Sequence, residues 1–165
     1  MAEKQGSFIV LLISLALVIM AVLFFVFLKS SYYKGMAIPL LLFGVIAGTG
    51  SYVVYKRSDG DRIRNVYAYD MNPAQLKNQE LPRMKKVMTN FVTLRYIEIA
   101  FILLGAGLFI YPMVASISGK AGWVFWKGFG LTLAIFGLIG LTVDYFAEKR
   151  GHIYTDGLES YVSKK

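Results

Sequence analysis

Hydrophobic positions in this chain form long uninterrupted blocks that are separated by polar stretches. Four blocks are free or nearly free of charge, at residues 8–28, 36–55, 96–117 and 123–146. A helix needs about 20 residues to cross the hydrocarbon core of a bilayer, so each block predicts one transmembrane helix. The predicted fold class is therefore all-α, an integral membrane protein with four spans.

The connections between the blocks predict how the spans are arranged. Residues 29–35 join the first two spans and residues 118–121 join the last two, and connections this short make neighbouring helices antiparallel. We therefore expect an up-down four-helix bundle in a single membrane domain, residues 1–165, that ends in a cytoplasmic tail, residues 147–165. The first span is expected to remain as an uncleaved anchor, because it is longer than the apolar core of a signal peptide and no convincing cleavage site follows it.

The connection between the second and third spans, residues 56–95, is polar enough to leave the membrane. Asn72 and Pro73 are typical of a helix start, and Pro82 predicts an interruption or a restart. Beyond Pro82, apolar and basic positions recur at helical spacing, which predicts an amphipathic helix on the cytoplasmic surface of the membrane that runs straight into the third span. The candidate lipid or partner surface consists of Arg83, Met84, Lys85, Lys86, Met88 and Phe91.

This candidate surface suits two kinds of partner. Anionic lipids of the inner leaflet would attract each cation by about 1 kcal/mol. A cytoplasmic protein or one specific lipid could dock on the same residues. Nucleic acid is not an expected partner, because the basic residues have ordinary membrane roles and no recognised binding motif accompanies them.

Composition supports the membrane assignment and charge predicts its orientation. The chain is 56% hydrophobic with a mean hydropathy of +0.55, which is too apolar for a soluble domain of 165 residues. Fourteen of the 18 Lys and Arg residues lie at the two termini or between residues 56 and 95. Positive residues that flank spans stay in the cytoplasm, so both termini and the middle segment are predicted to lie there. Trp123 and Trp126 then fall at the outer boundary.

Several classes of chemistry lack the residues that they need. The chain has no cysteine, which excludes disulfides, thiol redox chemistry and thiolate metal sites. The single histidine, His152, cannot build a two-histidine haem or metal site within one chain. No phosphate-binding loop, nucleophile elbow or zinc-protease motif occurs, so we expect no metal and no cofactor.

Two acidic residues fall within the predicted spans at similar depth. Glu98 enters the third span three residues after Arg95, and Asp144 lies close to the end of the fourth, before Lys149 and Arg150. A charge within a span is costly, so such residues are functional candidates by default. Here Arg95 and Arg150 could instead neutralise the acids near the headgroups. The group of Glu98, Asp144, Arg95 and Arg150 is therefore either a structural set of ion pairs or a proton or cation site.

Glycine recurs within the spans, where small residues permit close approach of helices. We expect these glycines to pack the bundle, with a homo-oligomer contact as the alternative. The packing candidates are Gly44, Gly48, Gly105, Gly107, Gly137 and Gly140. Internal symmetry is not expected, because spans one and two carry no charge whereas spans three and four carry acids, and this asymmetry counts against a duplicated transporter.

The second half of the chain resembles a known group of proteins. The run from Glu80 to Phe91 (ELPRMKKVMTNF), the YIEIA that begins at Tyr96, WKGFGL from Trp126 and DYFAEKR from Asp144 are similar to small four-span inner-membrane proteins of Gram-negative bacteria, which have no established activity. The resemblance covers residues 81–154. It implies one unit made of the amphipathic helix and the last two spans, and a location in the bacterial inner membrane.

Two characterised groups share the outline of the protein. Four-span immunity proteins bind membrane-acting toxins within the membrane, and this comparison is an architectural analogy. Four-span enzymes of eicosanoid and glutathione metabolism carry a basic cytosolic loop, and Lys86, Asn90 and Glu98 resemble their basic, amide and acidic run at a different spacing.

Three functions remain open from the sequence. The first is a non-enzymatic protein that binds a partner in or at the membrane, either a toxin that it neutralises or a complex that it supports as an accessory subunit. The second is a small proton- or cation-coupled transporter that uses Glu98 and Asp144. The third is a membrane-embedded enzyme that modifies lipids or thiol conjugates, for which the sequence offers no nucleophile or metal constellation.

Overall fold

The computed structural model describes residues 2–115 and 120–163, and this part of the chain is helical with no strand. The all-α prediction is confirmed. The predicted loop 118–121 lies largely outside the described residues, as do the end of the third run and the basic residues Lys164 and Lys165. The helices are α1 Ala2–Val26, α2 Ser31–Met71, α3 Pro73–Gln75, α4 Leu81–Val114 and α5 Ala121–Ser163, with one π-helical turn, Leu76–Glu80, between α3 and α4.

Helices α1, α2, α4 and α5 are all long and apolar enough to cross a membrane. Helices α2 and α5, with 41 and 43 residues, are roughly twice as long as a crossing of about 30 Å requires. Both therefore continue well beyond the apolar runs that predicted them. We call residues 56–71 of α2, residues 73–95 and residues 147–163 of α5 the helical extension.

The expected amphipathic helix runs straight into the third apolar run, as predicted, but its apolar side has a different neighbour. Residues 81–95 are the first part of α4 and continue into the third run without a break. Their apolar side packs on α5 and does not form a free membrane-facing stripe: Met84 is buried, and the methyl group of Met88 lies against Gly151. The physical reason is that residues 147–163, expected only as a tail, form a helix that covers this apolar side with protein.

The four long helices pack in the spatial order α1, α2, α5, α4. Helices α1 and α2 form one antiparallel hairpin, and α4 and α5 form a second one. Helices α2 and α5 run parallel where the hairpins meet, since Gly35 lies against Phe125 near one end and the ring of Tyr69 stacks on that of Tyr161 at the other, with 4.6 Å between ring centroids. The two hairpins thus point the same way.

Reciprocal contacts between α2 and α5 reveal an internal two-fold relation. Gly35 packs against the carbonyl oxygen of Phe125, and Gly128 packs against the carbonyl oxygen of Tyr32. Phe43 stacks on Phe136 with ring centroids 4.5 Å apart. Adding 93 to each residue number of α2 gives its counterpart in α5 at all three contacts. Contacts of this reciprocal kind are the mark of a two-fold axis.

The outer helices obey the same relation. Gly44 of α2 lies against the carbonyl oxygen of Ser14 and the side chain of Val18 in α1. Its counterpart Gly137 lies against the carbonyl oxygen of Glu98 and the side chain of Ile102 in α4. Adding 84 to the α1 numbers gives the α4 numbers, so each hairpin is one copy of a repeat.

The expectation that the halves lack symmetry is therefore wrong. At the same shift of 93, the sequence itself repeats Lys34-Gly35 as Lys127-Gly128, Phe43-Gly44 as Phe136-Gly137 and Lys56-Arg57 as Lys149-Arg150. The comparison of charges concealed this repeat, because Ser14 and Ser51 of the first hairpin occupy the positions of Glu98 and Asp144 in the second.

The glycines expected to pack helices differ in whether they face a neighbouring helix. Gly44 and Gly48 lie at the contact of α1 with α2, and Gly105, Gly137 and Gly140 lie at the contact of α4 with α5. Gly107 differs from the expectation, because nothing lies within 4 Å of the position its Cβ would take. Two residues correspond to about 200° around a helix, so Gly107 points away from the contact that Gly105 makes.

Candidate functional site

A small apolar cluster closes the far end of the helical extension. Ala68 of α2, Leu76 of the π-helical turn and Leu158 of α5 are buried together. The hydroxyl of Tyr161 donates a hydrogen bond to the carbonyl oxygen of Tyr69 over 2.9 Å. These contacts join α2, α5 and the chain before α4 at the end of the helical extension that is farther from the apolar runs.

An open groove of about 860 Å³ lies between α2, the start of α4 and α5 within this extension. Most of its wall is carbon, which includes the side chains of Val66, Met84 and Ile153. Polar and charged side chains interrupt the wall at a few points. We call this feature the extension groove.

Glu80 is the polar centre of the groove, and the residue is only 4% exposed. Arg83 donates two hydrogen bonds to its carboxylate, from Nε over 2.9 Å and from Nη2 over 2.6 Å. Asn65 of α2 donates from Nδ2 over 3.3 Å, and the hydroxyl of Tyr154 of α5 donates over 3.2 Å. One carboxylate therefore ties three helical segments together.

These donors determine the charge state of the site. Burial by itself would raise the pKa of Glu80, but the hydrogen bonds and charge of Arg83, together with the Tyr154 hydroxyl, lower it below its ordinary value. Burial and the adjacent Glu80 carboxylate raise the pKa of Tyr154. At neutral pH the groove thus holds an ionised Glu80 that is matched by Arg83 and a neutral tyrosine.

The remaining charges of the groove leave it positive. Asp61 forms a salt bridge of 3.0 Å with Arg64, as Glu80 does with Arg83. Arg62 and Arg150 also line the groove, and neither forms a salt bridge with a described side chain. Arg150 donates from Nε to the carbonyl oxygen of Phe146 over 3.3 Å. The groove therefore offers two guanidinium groups to an anion.

The two acids of the predicted spans do come together. Glu98 and Asp144 face each other across α4 and α5 within hydrogen-bonding reach, beside a cavity of about 230 Å³. Gly140 leaves room for the Glu98 carboxylate, because a Cβ there would overlap Oε1. The other oxygen, Oε2, is buried without a hydrogen-bond partner. Among residues 2–115 and 120–163, no three acidic or histidine side chains are arranged to hold a metal ion.

The expected ion pairs around these acids are replaced by others. Arg95 donates from Nη2 to Glu148, which lies one helical turn beyond Asp144, and forms no salt bridge with Glu98. His152 lies 3.6 Å from the same Glu148 carboxylate. Arg150 turns to the backbone and the extension groove. Glu148 sits nearer the polar end of α5, so it receives the cation that sequence spacing assigns to Glu98.

The other candidate surface residues are separated by the structure. Lys85 forms a salt bridge of 2.7 Å with Glu159 of α5, and Lys86 is exposed. Phe91 lines the small cavity beside the acids, and Met84 and Arg83 line the groove. The six residues therefore do not form one surface.

Of the groove residues, sequence reasoning named Arg83, Met84 and Arg150 but missed the others. Glu80, Asn65, Tyr154 and Arg62 lie on three segments that are distant in sequence. One local signal was available, since Glu80 and Arg83 are spaced for an ion pair on one helix. Comparison with known proteins found no matching family model, no matching curated protein and no matching solved structure.

Proposed function

We propose that this protein is a non-enzymatic integral membrane protein that binds a partner protein at the inner membrane through the extension groove. The single observation that supports this function is the groove itself, with its carbon walls, its fully paired polar centre at Glu80, and Arg62 and Arg150, which form no salt bridge with a described side chain. Binding sites commonly combine apolar walls with a few placed polar groups. Exposed apolar side chains of α2 lie in the groove itself at Val66 and Tyr69.

The proposal places the apolar parts of the four long helices in the bilayer. Large apolar side chains are exposed along these parts, as lipid contact requires, for example Leu12 on α1 and Leu103 on α4. The excess of Lys and Arg in the extension and at the termini puts both on the cytoplasmic side. The groove would then open to the cytoplasm, just beyond the inner leaflet.

Two kinds of partner fit a groove in this place. One is a toxin that reaches the membrane and is held in an inactive form, as an immunity protein would do. The other is a subunit of a larger membrane complex that this protein supports as an accessory subunit. In both cases exposed apolar surface of about this extent is covered in the bound state.

Purification from gently solubilised membranes tests this function. We expect a partner in stoichiometric amount, and we expect Val66→Asp to remove it, because the new carboxylate would need to be dehydrated within the groove. Tyr67→Asp is the matched control, since Val66 and Tyr67 are both 59% exposed on α2 but only Val66 lines the groove. Recovery of the protein alone, or equal loss with both substitutions, would contradict the proposal.

A second candidate function is proton or cation transport by Glu98 and Asp144. The observation that favours it is the buried Glu98 oxygen without a hydrogen-bond partner, which a proton or cation could satisfy. Repeat-built transporters carry their sites where the repeats meet, whereas this acid pair lies within the second hairpin, so we place transport second.

Flux measurements in proteoliposomes test the second candidate. Glu98→Gln and Asp144→Asn should each abolish flux while the circular dichroism spectrum and the elution volume stay unchanged. Ser51→Asn is the matched control, because Ser51 occupies the position of Asp144 in the first hairpin. Flux that persists in both acid variants would exclude the transport function.

A further inference from the structure

We infer that the extension groove holds one acidic amphipathic α-helix of the partner protein. This inference rests on the function proposed above and specifies the chemistry of the partner. Three independent features of the groove support it: the internal repeat, the line of α1, and the distribution of charge.

The repeat shows which surface lacks a covering helix. On α5, the first part of α4 covers two positions, because Met88 lies against Gly151 and Lys85 pairs with Glu159. The shift of 93 residues places Ser58 and Val66 at the same positions on α2. No described helix covers Val66, which is 59% exposed and lines the groove. Ser58 is already covered beside the start of α1 and is only 8% exposed, so it is at Val66 that the first hairpin offers a surface which a helix occupies in the second.

The line of α1 indicates that the missing element is a helix. Gly44, Tyr55 and Asp59 of α2 face α1, where Tyr55 meets Phe8 and Asp59 forms a salt bridge with Lys4. Lys4 is close to the start of the described part of α1. Arg62, Val66 and Tyr69 follow Asp59 along α2 at spacings of three and four residues. These positions continue one stripe, so a helix in the groove would extend the line of α1.

Charge determines what kind of helix fits. The carboxylates of Asp61 and Glu80 are matched by Arg64 and Arg83, whereas Arg62 and Arg150 form no salt bridge with a described side chain. The nearest acid to Arg62 on the side of α1 is Asp59, which is paired with Lys4. A helix with acidic residues at the edges of its apolar face would pair with both arginines. A basic helix would place like charges together and would be rejected.

Position and charge argue against the two other occupants. The groove follows α5 from Arg150 to Tyr161, about 16 Å along the helix, and its most apolar end is the one farther from the apolar run. A lipid chain would have to leave the bilayer to reach Leu158. A second copy would bring another extension of the same basic character, since the chain carries a net charge of +8.

Photo-crosslinking in native membranes tests this inference. A benzoylphenylalanine residue replaces Val66 in one variant and Tyr67 in the matched control. We expect the Val66 variant to give an adduct whose mapped peptide lies in an amphipathic helix with acidic edge residues, and we expect at least about tenfold less of this adduct from the Tyr67 variant. An adduct with a second copy of the chain, an adduct with lipid, or no adduct at Val66 would overturn the inference.

Charge reversal separates an electrostatic fit from mere proximity. Arg62→Glu and Arg150→Glu should each lower the adduct yield about tenfold, because like charges would then face each other. Arg57→Glu is the control, since Arg57 is exposed on the same helix and lies outside the groove. Lysine in place of an acidic edge residue of the mapped helix should restore the adduct with Arg62→Glu. Unchanged yields with both reversals would overturn the inference.

The outcomes also distinguish this inference from the proposed function. A partner that copurifies in stoichiometric amount and is lost with Val66→Asp, but forms no adduct at Val66, supports the binding function and contradicts the groove helix. Absence of any copurified partner would contradict both the binding function and the groove helix.

Discussion

At the residue scale, the molecule treats its buried carboxylates in two different ways. Glu80 receives hydrogen bonds from Arg83, Asn65 and Tyr154 and is fully paired. Glu98 faces another acid and keeps one oxygen without a partner. A paired buried carboxylate stabilises a fold, whereas an unpaired one is costly and is retained where its chemistry is useful.

Glu80→Gln should weaken the helical extension by about 1–3 kcal/mol, because Arg83 and Tyr154 lose an ionised acceptor. Glu159→Gln removes only an exposed salt bridge with Lys85 and should cost about 0–1 kcal/mol. Urea unfolding in detergent, followed by proteolysis of the extension, measures both. Equal losses from the two substitutions would contradict a central role for Glu80.

The lowered pKa of Glu80 makes this stability depend on pH. Its pKa in the folded state lies below the ordinary value of 4.5, so its contribution is present above pH 4.5 and is lost as the pH falls through the folded-state value. The extension of the native protein should therefore become sensitive to protease below about pH 4.5. The Glu80→Gln variant should show a smaller change over the same interval, and an unchanged pH profile would disagree with this assignment.

At the scale of elements, the long apolar helices could be predicted but the extension could not. An uncharged run of 20 residues has only one stable environment, so residues 8–28 and 36–55 were readable from hydropathy. Residues 147–163 carry mixed polarity. Leu158 and Tyr161 pack in an apolar cluster only because α2 and the start of α4 lie beside them, and sequence alone does not show these neighbours. The pairing of Arg95 with Glu148 was missed for the same reason, since two helices compete for one cation.

The different surroundings of Gly105 and Gly107 in α4 give a test at this scale. Gly105→Leu should destabilise the α4 and α5 hairpin by about 1–3 kcal/mol, because the backbone of Gly130 and Ala134 lies where its side chain must go. Gly107→Leu meets open space and should be neutral or stabilise the helix by up to about 1 kcal/mol. Unfolding of both variants in the same detergent compares them. Similar losses from both would show that α4 faces α5 differently.

At the scale of the whole molecule, the chain is two copies of one helical hairpin that have diverged in polarity. The second copy holds Glu98 and Asp144 where the first has Ser14 and Ser51, and its residues 76–85 precede the counterpart of Ala2, the first described residue of α1. The candidate acid site and the extension groove are therefore both products of asymmetry between the copies. The sequence contains evidence of this repeat in the Lys-Gly, Phe-Gly and Lys-Arg pairs that both halves share. A comparison of charge alone does not detect it.

A divided chain tests the repeat directly. Residues 1–71 and 72–165 are produced together as separate hairpins. They should associate in the membrane and copurify, because α2 of the first piece contacts α5 of the second. Gly35→Leu and Gly128→Leu should each reduce the association by a similar factor, since each would push a side chain against the equivalent carbonyl of the other hairpin. Gly50→Leu, which meets open space on α2, should leave association unchanged. If Gly35→Leu and Gly128→Leu differ strongly, the two-fold relation does not describe this contact.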